Sequence, residues 1–171
     1  MENKIIASNQ LLKKISLIIA QQLKVSKLSE FSFIKQLVLA DSSTILIFSS
    51  TAYSKSKQQN PYFVATGVDG QIIIGCYLDI IKNNALVKDY IEDRASLEVP
   101  KPLRGQGIHS AVFAEIRRYA NLHQLTLVIE EVRNERLAKR LISEGFKKEL
   151  DPSSLFMPEM QPIYNYVAPP Q

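Results

Sequence analysis

The stretch that most constrains this chain is residues 97–120, LEVPKPLRGQGIHSAVFAEIRRYA. It reads as a strand, a loop with two glycines, and an amphipathic helix. Ile108, Val112, Phe113, Ile116 and Ala120 recur at three- and four-residue spacing, with Glu115, Arg117 and Arg118 on the opposite face. Just ahead lie Arg104-Gly105-Gln106-Gly107, where glycine lets the backbone take positive φ or approach a ligand without a Cβ clash. Amides without partners at a helix start attract anions, and the helix dipole adds to the attraction. A strand, a glycine-bearing turn and a helix N-terminus can therefore cradle a phosphate. Many such turns bind nothing, so the loop alone does not decide the matter.

The rest of the chain supplies a sheet. Ser8 is placed to cap a helix of about fifteen residues whose apolar stripe is Leu11, Leu12, Ile15, Ile18, Ile19 and Leu23. That stripe is core material and could also serve a partner helix. Residues 31–39 and 44–50 read as strands around Asp41-Ser42-Ser43, although KQLVLA also permits a helix. Residues 54–61, SKSKQQNP, are a polar loop. Asp69-Gly70 between YFVATGV and QIIIGCYLDI signals a hairpin. Asn83-Asn84 interrupts the pattern, and residues 85–93 read as a connection or short helix into the strand ASLEV. FKKEL and PIYNYV give two last strands around a proline-spaced loop. The expected fold is α/β (α+β), a mixed and mostly antiparallel sheet with helices on its faces.

Composition bounds the reading. The chain has 171 residues, 46% hydrophobic and 22% charged, which suits one globular domain. No apolar run approaches the ~20 residues of a membrane span, and KKISLIIA lacks a secretory cleavage pattern. That leads us to expect no membrane, and a lone cysteine, Cys76, excludes an internal disulfide and leads us to expect a reducing cytoplasm. Charge is uneven: residues 1–60 carry eight lysines against three acids, while residues 61–100 carry three bases against six acids. The basic third lacks arginine clusters and interleaved aromatics, so a solvated face competes there with a nucleic-acid partner.

Arg104-Gly105-Gln106-Gly107-Ile108-His109 resembles the R/Q-x-x-G-x-G/A acyl-CoA signature of the GNAT superfamily of N-acetyltransferases. SAVFAEIRRYA and LTLVIE fall in the register of the family's next helix and strand. NERLAKRLISEGF is similar to its second conserved block, from Asn134 to Gly145-Phe146. Residues 95–148 carry the resemblance, as an acyl-CoA-binding core within a single domain of residues 1–171 whose first thirty residues are an N-terminal helical segment. Two positions depart from the pattern. His109 stands where the signature has Gly or Ala, and Leu141 where many members carry a catalytic tyrosine.

The resemblance implies a GNAT-like fold and an N-acyltransferase with acetyl-CoA as cosubstrate, acting on a small-molecule amine or on a protein or peptide amine. No metal is expected. Arg104, Gly105, Gln106, Gly107, Ile108, His109 and Ser110 would hold the pyrophosphate, and the main chain of Leu97 and Val99 the pantetheine arm, with an amide near Val99 polarising the thioester. Asn134 would contact pantetheine, cap its helix, or both. Glu98, Asp93 and Glu92 are the candidate bases, with Glu130 and Glu131 in reserve. With Leu141 unable to donate a proton, Tyr164, Tyr166 or water would take that role, or the thiolate would leave directly. The alternatives are a protein that keeps the fold as an inactive binding or regulatory module, and an acyltransferase acting on charged transfer RNA. A homodimer is compatible with either.

Overall fold

The structure is a computed structural model, described here for residues 8–24, 31–50, 61–89 and 98–171. It is a mixed α/β fold that shows, among these residues, three α-helices and eight strands in the hydrogen-bonded order β1-β2-β3-β4-β5-β6-β8-β7. The chain divides into two compact units, one of Met1–Tyr77 and Leu97–Glu115, the other of Leu78–Ser96 and Ile116–Gln171.

The first unit begins with helix α1, Asn9–Gln22, where Ser8 Oγ accepts the Leu11 amide at 3.3 Å. Ile15 and Ile19 on its stripe are sealed against Phe31, Leu46, Phe48 and Val64, with Leu11, Leu12 and Leu23 packed around them. The strands beneath form an antiparallel meander. β1 (Phe31–Val38) pairs with β2 (Thr44–Ser50), β2 with β3 (Tyr62–Gly67), and β3 with β4 (Ile72–Ile81). Residues 31–38 are therefore strand and not helix. Ile45, Leu46, Ile47 and Phe48 are all buried in succession, so both faces of β2 are covered. One large apolar side chain sealed in such a core contributes roughly 1.5–3 kcal/mol.

Turn chemistry explains the connections. The Asp41 carboxylate accepts the amide and the hydroxyl of Ser43, and Ser42 takes a φ of 68° between them. In the β3–β4 hairpin only Gly70 has positive φ, at 82°. A two-residue type I′ turn would need two such residues, so the loop is Val68–Gly70, three residues long, with Gly67 N donating to Gln71 O. The side chain of Gln22, at the end of α1, holds this loop by donating to Gly70 O at 2.7 Å and accepting from Ile72 N at 3.1 Å.

In the second unit, Lys82 and Asn83 both take positive φ, 46° and 70°, between β4 and β5 (Asn84–Asp89). This corrects the sequence expectation: the described part of residues 85–93 is strand, not connection or helix. Lys-Asn closes a tight two-residue turn, because asparagine tolerates the left-handed region. β5 runs parallel to β6 (Thr126–Ile129), Leu86 opposite Val128. A parallel pair needs a long crossover, and this one carries the glycine loop and helix α2 (Ile108–Leu122). β8 (Tyr164–Ala168) runs antiparallel to β6 and to β7 (Lys147–Leu150).

Helix α3 (Glu135–Ser143) is closed at both ends. Asn134 Oδ1 accepts the Arg136 and Leu137 amides at 2.9 and 3.1 Å. At the other end Gly145 sits at φ 89°, its amide donating to Ile142 O while the Phe146 amide donates to Leu141 O, both at 3.0 Å. This is a Schellman motif, which commonly pairs two apolar residues at the positions held by Leu141 and Phe146. Both are buried. Leu141 is thus explained as the apolar partner of a helix stop.

Candidate functional site

The glycine loop lies in the first unit and is built in three steps. A 3-10 turn, Lys101–Leu103, follows Pro100 and brings the Leu103 amide to Pro100 O at 2.9 Å. Gly105 and Gly107 then take φ of 76° and 84°, a region that costs an L-residue roughly 1–2 kcal/mol. The Ala111 amide donates to Gly107 O at 3.0 Å, so Gly107 opens helix α2. Added Cβ atoms at Gly105 or Gly107 would meet nothing within 4 Å. The glycines are required for backbone shape, and their outer side is open.

Side chains tie the loop down. Gln106 Oε1 accepts the Ala40 amide at 3.2 Å, anchoring the loop to the turn between β1 and β2. Its amide oxygen is therefore engaged in structure. Arg104 Nε donates to Val99 O at 2.8 Å, holding an exposed guanidinium beside the loop. Ile108 points inward and is buried, whereas Ser110 is exposed in the first helical turn. His109 is half-buried and stacks on Phe113 one turn on, with ring centroids 5.7 Å apart at 15°. Packing along the helix therefore accounts for its ring. What the loop offers is a turn tied at Gln106 and Arg104 that leads into the start of a helix beside one guanidinium, an arrangement suited to an anion.

The carboxylates are less fully described. Glu98 is exposed two residues before Pro100, in irregular chain; the described end of the expected ASLEV strand is not strand. Glu92, Asp93 and Leu97 lie outside the described residues, as do residues 54–60 of the polar loop. Glu130 and Glu131 follow β6 and do not lie on it. Glu130 pairs with Lys88 at 3.5 Å, and Glu131, at φ 52°, lies 3.9 Å from Arg133. Among the described residues no group of His, Cys, Asp and Glu is arranged to hold a metal ion, and no helix is long and apolar enough to cross a membrane.

Asn134 belongs to the second unit, where its oxygen serves as the cap of α3. It also borders a cavity of about 360 Å³ together with Lys148, Tyr164 and Tyr166. Sequence reasoning singled out the tyrosines and Asn134 separately, but nothing local in the sequence joins them. Their meeting depends on the β7–β8 register, which sets Lys148 opposite Tyr166.

No family model and no curated protein matches the chain. Among solved structures, the crystal structure of nourseothricin acetyltransferase is similar over 82% of this chain and 85% of that one, at 17% identity and a TM-score of 0.49. A likeness so distant assigns no residue and no chemistry.

Proposed function

We propose that this protein is an acyltransferase that moves an acetyl or related acyl group from acetyl-CoA to a primary amine. The observation that carries the reading is the pair of positive-φ glycines, open on their outer side and leading directly into the first turn of α2. The space beyond each α-carbon is open, so the loop can admit the pyrophosphate of an acyl-CoA close to its backbone. When bound, acetyl-CoA supplies an activated thioester.

The chain's own residues do the rest. The amides that open α2 bind the pyrophosphate, and Arg104, held at Val99, adds one positive charge. The bond from Ala40 to Gln106 fixes the loop before ligand arrives, so little ordering cost falls on binding. The Val99 amide is the candidate donor to the acyl oxygen. Glu98 is the described candidate to take the ammonium proton, with Asp93 and Glu92 as its competitors. A thiol loses its proton near pH 8.5, so a thiolate can leave near neutral pH without a dedicated acid.

One observation favours a second reading. Leu141, where the GNAT superfamily often has tyrosine, is 1% exposed and engaged in the helix stop, so that position offers no proton donor. A fold-keeping protein that binds acyl-CoA without turnover would have the same feature. Calorimetric titration of the full chain with acetyl-CoA, followed by a transfer assay over an amine library and charged transfer RNA, separates the readings. Binding with transfer to any acceptor supports the enzyme, and binding without transfer supports the binding module. Absence of binding refutes both.

A further inference from the structure

The cavity bordered by Asn134 lies within the second unit, and its lining has a definite chemistry. Its floor is the β7–β8 ribbon, which contributes Lys148, Tyr164 and Tyr166; the start of α3 contributes Asn134 and Glu135. Hydrogen-bond donors outnumber acceptors. Asn134 has already committed its oxygen to two helix amides, so its NH₂ group is what remains. Tyr166 is only 3% exposed, yet it borders the cavity, and no hydrogen bond holds its hydroxyl among the described residues. The Lys148 ammonium is fixed 3.9 Å from the centroid of the Tyr164 ring, a cation–π contact that positions the charge. Arg133 has only a 3.9 Å pairing with Glu131, between side chains 75% and 52% exposed. Such a surface pair is worth little, so Arg133 is available to a ligand.

Charge and wall chemistry narrow the ligand. The two cations face one lining carboxylate, Glu135, leaving one net positive charge. A monoanion neutralises that charge, whereas a phosphate dianion would exceed it and meet Glu135. Apart from the neutral amide of Gln161, the remaining wall is apolar, formed by Val132, Ala138, Met160, Pro162 and Ile163, and methionine adapts to varied shapes. The volume lies at the lower end of the range for small-molecule sites.

We propose that this cavity binds a small organic monocarboxylate with an apolar body, its carboxylate held by Lys148, Arg133 and the Tyr166 hydroxyl and its body against Met160 and Ile163. The probe is 4-phenylbutyrate, with 4-phenylbutyramide as neutral isostere and inorganic phosphate as a second anion. Each is titrated into the full chain by calorimetry and by methyl NMR of Met160. The carboxylate should bind at least tenfold more tightly than the amide, and phosphate should give no saturable shift at Met160. Lys148→Met, which keeps a favourable contact with the Tyr164 ring, should weaken the carboxylate at least tenfold and leave the amide unchanged. Arg133→Gln, an exposed substitution, should act in the same direction. Gly107→Glu, in the other unit, should leave carboxylate binding intact. Equal affinity for amide and carboxylate, indifference to both Lys148→Met and Arg133→Gln, saturable phosphate shifts at Met160, or loss of carboxylate binding in Gly107→Glu would each overturn the assignment.

Discussion

Gly107 allows the anion reading to be tested without confusing it with folding. Its φ of 84° penalises any side chain, while an added Cβ meets nothing within 4 Å. Gly107→Ala and Gly107→Glu therefore share one backbone cost, roughly 1–2 kcal/mol of stability. They differ in the carboxylate. Two unit charges about 4 Å apart repel by about 1 kcal/mol in bulk water and about 4 kcal/mol near a protein surface. At tenfold per 1.4 kcal/mol, the glutamate variant should bind acetyl-CoA roughly 5- to 1,000-fold more weakly than the alanine variant. The two should melt within a few degrees of each other. Calorimetric titration at low salt reads the affinities, and repetition at high salt should narrow the gap, because exposed charges are screened. Should the folded glutamate variant bind as tightly as the alanine variant at low salt, no pyrophosphate lies against this loop.

Three further outcomes follow from particular side chains. Thr66 is fully buried and its hydroxyl has no partner among the described residues, so Thr66→Val should stabilise the protein by ~1–3 kcal/mol, and an unchanged or lower denaturant midpoint would count against that. Asn134→Ala should cost ~1 kcal/mol of stability as a lost cap; in a thermal melt Asn134→Ser should recover most of it, and if serine behaves like alanine the cap account is wrong. Asp151 has its pKa lowered, first by the Ser153 hydroxyl and amide and then by Asn165, and Asp41 is lowered by Ser43. Because these folded-state values lie below the ordinary 3.8, the stability they contribute is full above that pH and is lost as pH falls through the depressed values. Melting curves from pH 5 down to 2 should therefore show an acid limb that Asp151→Asn makes shallower, and an unchanged limb would refute the linkage.

What could be read from the residues was whatever local periodicity and caps determine. The stripe behind Ser8 gave α1, and the repeat from Ile108 to Ala120 gave α2, because a helix repeats its buried face within a few residues. The block from Asn134 to Phe146 was legible for the same reason, with a capping side chain at one end and a left-handed glycine at the other. β5 was not legible. Its turn uses Lys82-Asn83, whereas the sequence shows a polar break at Asn83-Asn84 and does not reveal that Lys82 and Asn83 are left-handed. Leu141 looked like a missing acid, when the helix stop supplies a packing reason for leucine. In the glycine loop the conformational need was visible, but the anchoring of Gln106 by Ala40 joins residues far apart in sequence. The cavity depends on strand register, which no single segment encodes.

The grip of Gln22 on the β3–β4 loop bears on how this chain can be lengthened or rewired. Hairpin tips are usually where a lineage tolerates extra residues, or where an engineer splices a tag. Here the tip is covered by α1: Gln22 holds it by two hydrogen bonds, and a Cβ at Gly70 would stand 3.0 Å from Ile18. An insertion there would have to lift the end of α1 from its seat. By contrast, the turn at Ser42 is exposed and closed by its own aspartate, and its tie to the glycine loop is made at Ala40, at the start of the turn. Variation in length should therefore be easier at Ser42 than at Gly70, and the opening helix is bound to a hairpin some fifty residues away in the sequence.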